Sequence, residues 1–404
     1  MKILVLSVYY EPELSAGSFR TTALVRDLAR QLPAGAQVEV ITTLPNRFSS
    51  YRVDVPAHEQ QGPVTVRRIA LPAHSTGMLG ESIAFLAFAR QALRLVRHEE
   101  YALVYATSAK LMTAVLGSWI ARRKHALLYL DIRDIFVDNV KEMLPRLAQL
   151  LFTPVASQLE RFALRRATKV NLVSAGFAPY FRRRYPTQDF SFFTNGIDEE
   201  FIGSGGAMPA SPQDGGAEAG EAGPSRVLTV VYAGNMGGGQ GLHLVIPELA
   251  RRLQGRVRFR LIGDGGGRRA LEARLAAEGV DNVDVLPPMN RKGLIEEYRA
   301  ADVLFLHLND HDAFRKVLPS KIFEYAATGK PIWAGVAGYA ADFLREHVDN
   351  AAIFAPCDAA GATEAFAKLD LRCRPRTTFV EQFSRRAISA AMAAEIVSIL
   401  HGSS

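Results

Sequence analysis

The sequence predicts an α/β fold made of two doubly wound domains in tandem, and three observations predict it. Apolar runs of strand length alternate with stretches of helical apolar spacing along most of the chain, which is typical of parallel sheets covered by helices. A chain of 404 residues is longer than one hydrophobic core usually organises. A segment at 203–225, almost wholly Gly, Ala, Ser, Pro and acidic residues, interrupts the alternation near its middle. We therefore expect two Rossmann-like domains.

The first domain is predicted over residues 1–195. It opens with the apolar run KILVLSVYY, which predicts a strand buried on both faces of a parallel sheet. The loop EPELSAGSF and a helix with apolar spacing, TTALVRDLARQL, follow this strand. The other strands of this domain are predicted at 38–43, 64–71, 102–107, 126–132 and 169–174, and its other helices at 81–97, 111–121 and 145–166.

The second domain is predicted over residues 227–383, after a junction at 196–226. The junction contains the 203–225 segment, which we interpret as a mobile loop because its composition cannot bury enough apolar surface. Strands are predicted at 227–234, 257–263, 283–287, 301–308, 331–335 and 351–356, and helices at 241–253, 268–278, 291–299, 320–328 and 338–346. A last helix, within a C-terminal element at 384–404, is long enough to cross back to the first domain.

Composition excludes three classes of protein. An apolar fraction of 48% argues against a disordered chain, and two cysteines argue against a disulfide scaffold. The lack of long uncharged apolar spans argues against an integral membrane protein. The start MKILVLSVYY has no cleavage site of small residues, so we expect a first strand in a cytoplasmic protein rather than a signal peptide. Cys357 and Cys373 are expected to be structural thiols in a reducing compartment.

The excess of positive over negative charge lies in the first half of the chain. The net charge is +7, and residues 1–200 hold all of it with 25 basic and 18 acidic residues. The rest of the chain holds 23 basic and 23 acidic residues. A basic half suits nucleic acid or an anionic membrane surface. Leucine, phenylalanine and arginine alternate at 144–169 and at 81–98, which favours a peripheral membrane helix, although burial against the sheet explains the apolar residues equally well.

A glycine-rich loop follows the first strand of the second domain. The sequence AGNMGGGQG at 233–241 leads directly into a helix, so its amides and the helix N-terminus predict a diphosphate cradle. It lacks the Gly-Lys-Ser/Thr ending of a P-loop, and a flexible turn without a ligand is the alternative. A second glycine turn, IGDGGG at 262–267, contains Asp264, which either contacts a nucleotide or caps the next helix.

The segment LNDHDAFRKVLPSKIFEYAATGKP at 308–331 carries the most specific pattern. Pro319 and Gly329 bound a short helix whose first turn holds Ser320 and Lys321. A cation opposes the helix dipole at this end, and a bound anion would reverse that penalty. Glu324 is predicted to accept the hydroxyls of a ribose, or else to form an i,i+3 ion pair with Lys321.

These motifs in this order resemble glycosyltransferase family 4. The resemblance runs from YYEPELSAGSFRTTALVRDLARQL through FFTNGIDEEF to PSKIFEYAATGKPI and covers nearly the whole chain. It implies the GT-B fold, in which two Rossmann-like domains face a cleft, and a retaining transfer from a nucleotide sugar. Within the family, the wording PSK-x-FEY looks most like bacterial enzymes that build O-antigen, capsule or exopolysaccharide, including the fucosamine-type aminosugar transferases.

The chain departs from the family pattern at two positions. Many members have two glutamates separated by seven residues, and here Glu324 matches the second while Lys316 stands at the first. The Lys-Gly pair that often holds the donor phosphate is Gln240-Gly241. We therefore expect Lys321, Arg315 or Lys316, with the amides of 237–239, to neutralise the diphosphate. The donor-binding residues that we predict are Gly17, Asn235, Gly237, Gly238, Gly239, Gln240, Asp264, Arg315, Lys316, Ser320, Lys321 and Glu324.

The acceptor is expected in the first domain. DIRDIFVD at 131–138 follows a buried strand, and the resemblance implies that Asp131 or Asp134 lies near the acceptor hydroxyl. Pairing of Arg133 with these acids is the structural alternative. Catalysis is assigned to Asp131, Asp134, Lys321 and Glu324, and acceptor binding to Glu11, Ser18, Arg133 and Asp138.

The expected activity is transfer of a sugar from a UDP-linked donor to a polyprenyl-diphosphate-linked saccharide. The resemblance to fucosamine-type transferases implies an N-acetylated aminosugar. We expect no metal and no other cofactor, no nucleic acid partner, and peripheral association with an anionic membrane at the inner face of the plasma membrane. A non-hydrolysing nucleotide-sugar epimerase and a non-catalytic nucleotide-sugar or lipid-binding scaffold are the alternatives. A dinucleotide oxidoreductase is disfavoured because G-x-G-x-x-G follows neither first strand.

Overall fold

The computed structural model describes residues 1–13, 15–45, 53–72, 78–108, 111–138, 146–202 and 226–402. The chain divides into two compact units. Unit 1 contains Met1–Asn195 and Arg385–Ser404, and unit 2 contains Gly196–Ser384. The segment at 203–225, predicted as a mobile loop, lies outside the described residues.

Unit 1 is built on an eight-stranded sheet in the order β3-β4-β2-β1-β5-β6-β7-β8. Every pair of neighbours is parallel except β3 and β4. The central strand β1 is fully buried from Ile3 to Leu6, as its unbroken apolar run predicts. The strands are β1 Lys2–Leu6, β2 Gln37–Thr43, β3 His58–Gln61, β4 Val64–Ile69, β5 Leu103–Thr107, β6 Leu127–Ile132, β7 Lys169–Leu172 and β8 Phe190–Ser191.

The helices of unit 1 form two layers. They are α1 Ala16–Gln31, α2 Met78–Leu95, α3 Leu111–Lys124, α4 Arg146–Leu164, α5 Ala178–Arg184 and, after unit 2, α14 Arg385–His401. The last helix, α14, packs on α1, and α3 packs on both α2 and α4. Right-handed crossovers place α1 on one face of the sheet and α2, α3 and α4 on the other.

Unit 2 is built on a six-stranded parallel sheet in the order β11-β10-β9-β12-β13-β14. Its strands are β9 Leu228–Ala233, β10 Val257–Ile262, β11 Val283–Leu286, β12 Val303–His307, β13 Ile332–Gly335 and β14 Ala351–Phe354. Its helices are α6 Glu199–Ile202, α7 Leu242–Arg252, α8 Arg268–Ala277, α9 Arg291–Ala300, α10 Lys321–Ala327, α11 Tyr339–His347, α12 Ala359–Ala367 and α13 Thr377–Phe383. Trp333 is fully buried among Phe259, Phe305 and Phe366.

Both sheets have the same kind of switch point. The strand order reverses between β1 and β5 in unit 1 and between β9 and β12 in unit 2. Loops at the carboxyl ends of such strands diverge and leave room for a ligand. We therefore expect ligands to bind at the segments after β1, β5 and β6 in unit 1, and after β9, β10 and β12 in unit 2.

Candidate functional site

The glycine-rich loop after β9 is fastened to the end of β12 through its carbonyl groups. The Asn309 side-chain amide donates to Gly238 O (2.9 Å), and the Asn309 backbone N–H donates to Gly239 O (2.9 Å). His307 Nδ1 donates to Gln240 O (2.6 Å). Because N–H and C=O point in opposite directions across a trans peptide, the amides of Gly239 and Gly241 are directed away from β12. This fastening argues against the interpretation of the loop as a flexible turn.

Two side chains brace the loop internally. Gln240 Oε1 accepts from the Asn235 side-chain amide (2.8 Å) and from the Gly237 backbone N–H (3.2 Å). Tyr232 Oη donates to Asn235 O. Asn235 and Gln240, which we predicted to bind the donor, thus hold the loop in shape with their side chains.

The glycines of this loop leave room for specific neighbours. A Cβ at Gly234 would lie 2.0 Å from Lys321 Nζ, and a Cβ at Gly239 would lie 2.8 Å from the Phe314 ring. The Lys321 ammonium lies 5.4 Å from the centre of the Tyr232 ring. The predicted phosphate-binding lysine is therefore at the base of the glycine loop, at the carboxyl end of β9.

His307 was missed by sequence reasoning. Its ring is fully buried, and Nε2 accepts a hydrogen bond from the Cys357 backbone N–H (2.9 Å). Burial lowers the pKa of His307 to about 4, and the hydrogen bond to the Gln240 carbonyl only partly opposes this shift. The imidazole is neutral at physiological pH, with its proton on Nδ1. The only signal in the sequence is one histidine at the end of the apolar strand ADVLFLHL.

Other residues predicted to bind the donor lie in and just before α10. Lys321 opens α10, Ser320 precedes it, and Glu324 lies half-buried in its first turn. Arg315 is exposed and pairs with Asp310 (3.1 Å), and its contact with a phosphate stays a prediction. Lys316 is half-buried in a 3₁₀ turn with Phe314 and Arg315.

Asp264 does not cap the helix that follows it. Its Oδ1 accepts from the neighbouring Gly265 N–H (2.8 Å), and α8 begins at Arg268 with Gly267 as the N-cap residue. The capping interpretation was wrong because the glycine turn places three residues between the carboxylate and the helix. Contact with a nucleotide stays a prediction.

Asp131 requires a correction. Its carboxylate is fully buried and accepts hydrogen bonds from Arg20 Nε (2.8 Å) and Nη2 (2.9 Å), Tyr105 Oη (2.9 Å) and Asn171 Nδ2 (2.7 Å). Burial acts to raise the pKa of Asp131, but the charge and hydrogen bonds of Arg20 outweigh it and hold the pKa below its ordinary value. The structure therefore makes Asp131 a structural ion rather than a catalytic residue.

Arg20 organises this region and was also missed. It donates to the backbone carbonyls of Phe193 and Thr194 as well as to Asp131. Arg20 thus connects α1 to β6 and to the residues that follow β8. Its partners are more than 100 residues away in sequence. An arginine on the inner face of the apolar helix SFRTTALVRDL is the only local signal.

Arg133 lies at the N-terminus of α1. Its backbone N–H donates to Ser108 Oγ (3.0 Å), and its Nη2 donates to Asn195 Oδ1 (3.3 Å). A Cβ at Gly17 would lie 3.8 Å from the Arg133 Cζ, an ordinary van der Waals distance, so the guanidinium lies against the first turn of α1. Arg20 makes the direct hydrogen bonds to Asp131, while the charge of Arg133 acts on both Asp131 and Asp134, so the alternative in which Arg133 pairs with these acids stays open.

The start of α1 is capped within its own segment. Ser15 Oγ accepts from the backbone N–H of Ser18 (3.1 Å), and the Ser18 side chain is fully buried. A helix N-terminus beside a guanidinium is favourable for an anionic group. The predicted Gly17, Ser18 and Arg133 are thus brought together.

Asp134 lies just beyond β6 and is half-buried. Burial raises the pKa of Asp134 to about 6, against the opposing effect of the Arg133 charge. A carboxylate with this pKa can take up a proton near neutral pH. Of the two carboxylates predicted near the acceptor hydroxyl, only Asp134 has the properties of a base.

Two acceptor-side predictions are placed elsewhere. Glu11 Oε2 pairs with Arg26 Nη2 (2.6 Å) on the outer part of α1. The charge of Asp138 acts on Glu160 and Tyr180, which places it toward α4 and α5 rather than beside Arg133. For both residues, contact with the acceptor stays a prediction.

No group of three or more His, Cys, Asp or Glu side chains is arranged to hold a metal ion in the part of the chain that the structure describes. In those same residues, no helix is long and apolar enough to cross a membrane.

Comparison with known proteins gives matches over both units. The family profile described as "Glycosyl transferase 4-like domain" matches residues 20–193, and "Glycosyl transferases group 1" matches residues 220–382. The chain is 26% identical over 353 residues to the putative colanic acid biosynthesis glycosyl transferase WcaI of Escherichia coli (strain K12), covering 81% of this chain and 82% of that protein.

Solved structures show the same architecture. Anabaena Alr3699/HepE in complex with UDP-glucose aligns with a TM-score of 0.65 at 19% identity, over 98% of this chain and 99% of that one. WaaG, a glycosyltransferase involved in lipopolysaccharide biosynthesis, aligns with a TM-score of 0.62 at 16% identity, over 99% and 98% of the two chains. These likenesses confirm the predicted fold class.

Proposed function

The chain belongs to the GT-B glycosyltransferases that combine a glycosyl transferase 4-like domain with a group 1 domain, and from this membership we propose its reaction. The enzyme transfers a sugar from a nucleoside diphosphate sugar to a lipid-linked saccharide acceptor, with retention at the anomeric carbon. Unit 2 binds the donor and unit 1 binds the acceptor.

The glycine loop with Lys321 beneath it carries this proposal. Three loop carbonyls are fastened by His307 and Asn309, and the amides of Gly239 and Gly241, which are turned the other way, would donate to phosphate oxygens. Negative charge grows on the leaving diphosphate during glycosyl transfer. Fixed amides and a fixed ammonium stabilise such charge without reorganising, which is usually the largest single contribution to catalysis. No resident metal is needed in this scheme.

On the acceptor side, Asp134 orients the acceptor hydroxyl, and Arg133 with the α1 N-terminus holds an anionic part of the acceptor. The raised pKa of Asp134 keeps this carboxylate close to proton exchange at neutral pH. A diphosphate that links the saccharide to a lipid is a group of the required charge.

The names of the similar proteins support the substrate class. WcaI is described in colanic acid biosynthesis, WaaG in lipopolysaccharide biosynthesis, and Alr3699/HepE in complex with UDP-glucose. We propose a UDP-linked donor and a role in cell-envelope polysaccharide synthesis, such as O-antigen or capsule, at the inner face of the plasma membrane. The aminosugar preference stays a prediction from the sequence.

A donor panel followed by product analysis tests the proposal. Thermal unfolding with different nucleotide sugars identifies the donor, because a ligand that binds the folded state raises the unfolding temperature. The enzyme is then incubated with that donor, with and without a polyprenyl-diphosphate-linked saccharide. We expect a glycosylated lipid whose new linkage keeps the donor's anomeric configuration by NMR. Epimerised donor without acceptor would support the epimerase instead, and donor binding without any product would support a scaffold.

A further inference from the structure

The helix layer on one face of unit 1 has an unusual outer surface. Along α2, Ile83 and Leu86 are 59% and 66% exposed, and Arg90 and Arg94 follow on the same stripe of the helix. These positions are three to four residues apart, so they share one side of the helix. The stripe is apolar near the start of α2 and basic near its end.

The neighbouring helix α3 repeats this arrangement. Met112 and Trp119 are partly exposed, and Arg122 and Arg123 follow on its outer side. The Arg123 guanidinium lies 4.7 Å from the centre of the Trp119 ring. An aromatic ring beside a guanidinium is typical of residues at a membrane–water interface.

Helix α4 shows the same order a third time. Leu150 is 75% exposed, Phe152 and Val155 are also exposed, and Arg161 and Arg165 follow toward the C-terminal end. The outer side of this helix therefore also changes from apolar to basic along its length.

The three helices carry almost no compensating acid. Residues 78–97, 111–124 and 146–166 contain ten basic residues and two acidic residues, Glu81 in the first turn of α2 and Glu160 in α4. Glu160 is only 2% exposed and accepts hydrogen bonds from Tyr180 and Tyr185. The outer surface of the layer is thus positively charged and apolar at once, which complements an anionic lipid surface.

The direction of the helices relates this surface to the acceptor site. Each crossover helix of a parallel sheet begins at the carboxyl edge of the strands and runs back toward the amino edge. The apolar starts of α2, α3 and α4 therefore lie toward the edge at which Arg133 and Asp134 follow β6. The basic ends lie about 12 Å or more further along, at 1.5 Å per residue.

We propose that the outer side of α2, α3 and α4, the helix-layer face, binds the surface of an anionic bilayer. Its apolar ends enter the interface at the edge of the sheet that holds the acceptor site, and its arginines contact the lipid phosphates. The saccharide of a lipid-linked acceptor then reaches Asp134 while its lipid stays in the bilayer. This inference rests on the proposed function for the identity of the acceptor.

Vesicle flotation with matched variants tests the face. The parent protein is expected to float with phosphatidylcholine–phosphatidylglycerol vesicles and to stay at the bottom of the gradient with pure phosphatidylcholine vesicles. The apolar variant Leu86→Ser with Leu150→Ser, and the charge variant Arg90→Glu with Arg161→Glu, should each bind at least about tenfold more weakly. The control Leu244→Ser with Leu371→Ser changes two exposed leucines of unit 2 and should bind like the parent.

The outcomes separate this inference from the proposed function. Transfer to a water-soluble acceptor analogue with a short lipid chain should be equal in the parent and in all three variants. Vesicle binding that is unchanged in the apolar and charge variants would overturn the helix-layer face and leave the transfer reaction standing. A parent that transfers no sugar would instead refute the proposed function. Self-association of the parent that the apolar variant abolishes, without vesicle binding, would show a protein interface in place of the membrane.

Discussion

The two units place their candidate sites at equivalent sheet edges but build them from different groups. In unit 2 the site is a neutral backbone loop, fastened through its carbonyls by His307 and Asn309. In unit 1 the site lies on a buried ion pair, Arg20 with Asp131, and presents Arg133 and Asp134. Backbone amides suit a diphosphate, which all nucleoside diphosphate sugars share, whereas the charges of side chains differ with the acceptor that has to be bound.

The largest effect that this comparison predicts is on the stability of unit 1. Arg20→Met leaves the buried Asp131 carboxylate without its cation, and losing one partner of a buried pair costs about 3–5 kcal/mol. Thermal unfolding should show a large decrease in midpoint, and the double variant Arg20→Met with Asp131→Leu should recover much of it. A midpoint equal to the parent's in Arg20→Met would mean that the ion pair does not support unit 1.

The next effect is on catalysis in unit 2. Lys321→Ala should lower kcat by about 10²–10³-fold with little change in unfolding temperature, because its ammonium lies where the leaving diphosphate gains charge. Lys292→Ala removes an exposed cation from α9 and serves as the control. Equal kcat in the two variants would place phosphate neutralisation elsewhere.

The acceptor side should be recognisable by its pH dependence. Asp134 must be ionised to accept a proton, and its pKa of about 6 predicts that kcat rises with pH through this value and then levels off. Asp134→Asn should lower kcat by about 10²-fold and remove this dependence. If kcat of Asp134→Asn still rose with pH near 6, Asp134 would not be the base. Asp189→Asn, which changes an exposed carboxylate of the same unit, is the control.

The same pKa has a consequence for stability. A folded-state pKa above the unfolded value favours the protonated form, so the folded state loses stability as pH rises from the unfolded pKa to about 6. At neutral pH, Asp134→Asn should therefore unfold at the parent's temperature or above it. A stabilised but slow variant would distinguish a functional carboxylate from a structural one such as Asp131.

The smallest effect concerns the surface of the glycine loop. Nothing lies within 4 Å of a Cβ placed on Gly238 or on Gly266, so neither substitution strains the fold. Gly238→Ala should nevertheless raise the KM for the donor about tenfold, since a methyl group obstructs the approach of phosphate to the amides. Gly266→Ala, in the neighbouring turn, should leave the KM unchanged. Equal KM values would remove Gly238 from the cradle.

The sequence predicts the alternating strands and helices well, because buried parallel strands are nearly continuous apolar runs. Strand β3, HEQQ, was not predicted, since it is an exposed polar edge strand held only by its pairing with β4. The glycine loop and Lys321 were also found from local patterns. Arg20 and His307 were not, because their roles depend on partners distant in sequence.

Asp131 and Asp134 show where local patterns stop being informative. The two carboxylates are three residues apart, and the motif DIRD does not say where the strand ends. The structure places Asp131 inside β6 and Asp134 beyond it, and that difference makes one a buried structural ion and the other a candidate base. A register difference of a few residues therefore decides the chemistry.

We propose above that unit 2 recognises a diphosphate through the glycine loop and Lys321. Calorimetric titration of the parent and Lys321→Ala with UDP and with uridine tests it most directly. We expect the parent to bind UDP much more tightly than uridine, and Lys321→Ala to lose most of this difference while its affinity for uridine is unchanged. A preference for UDP that is the same in both proteins would contradict the claim.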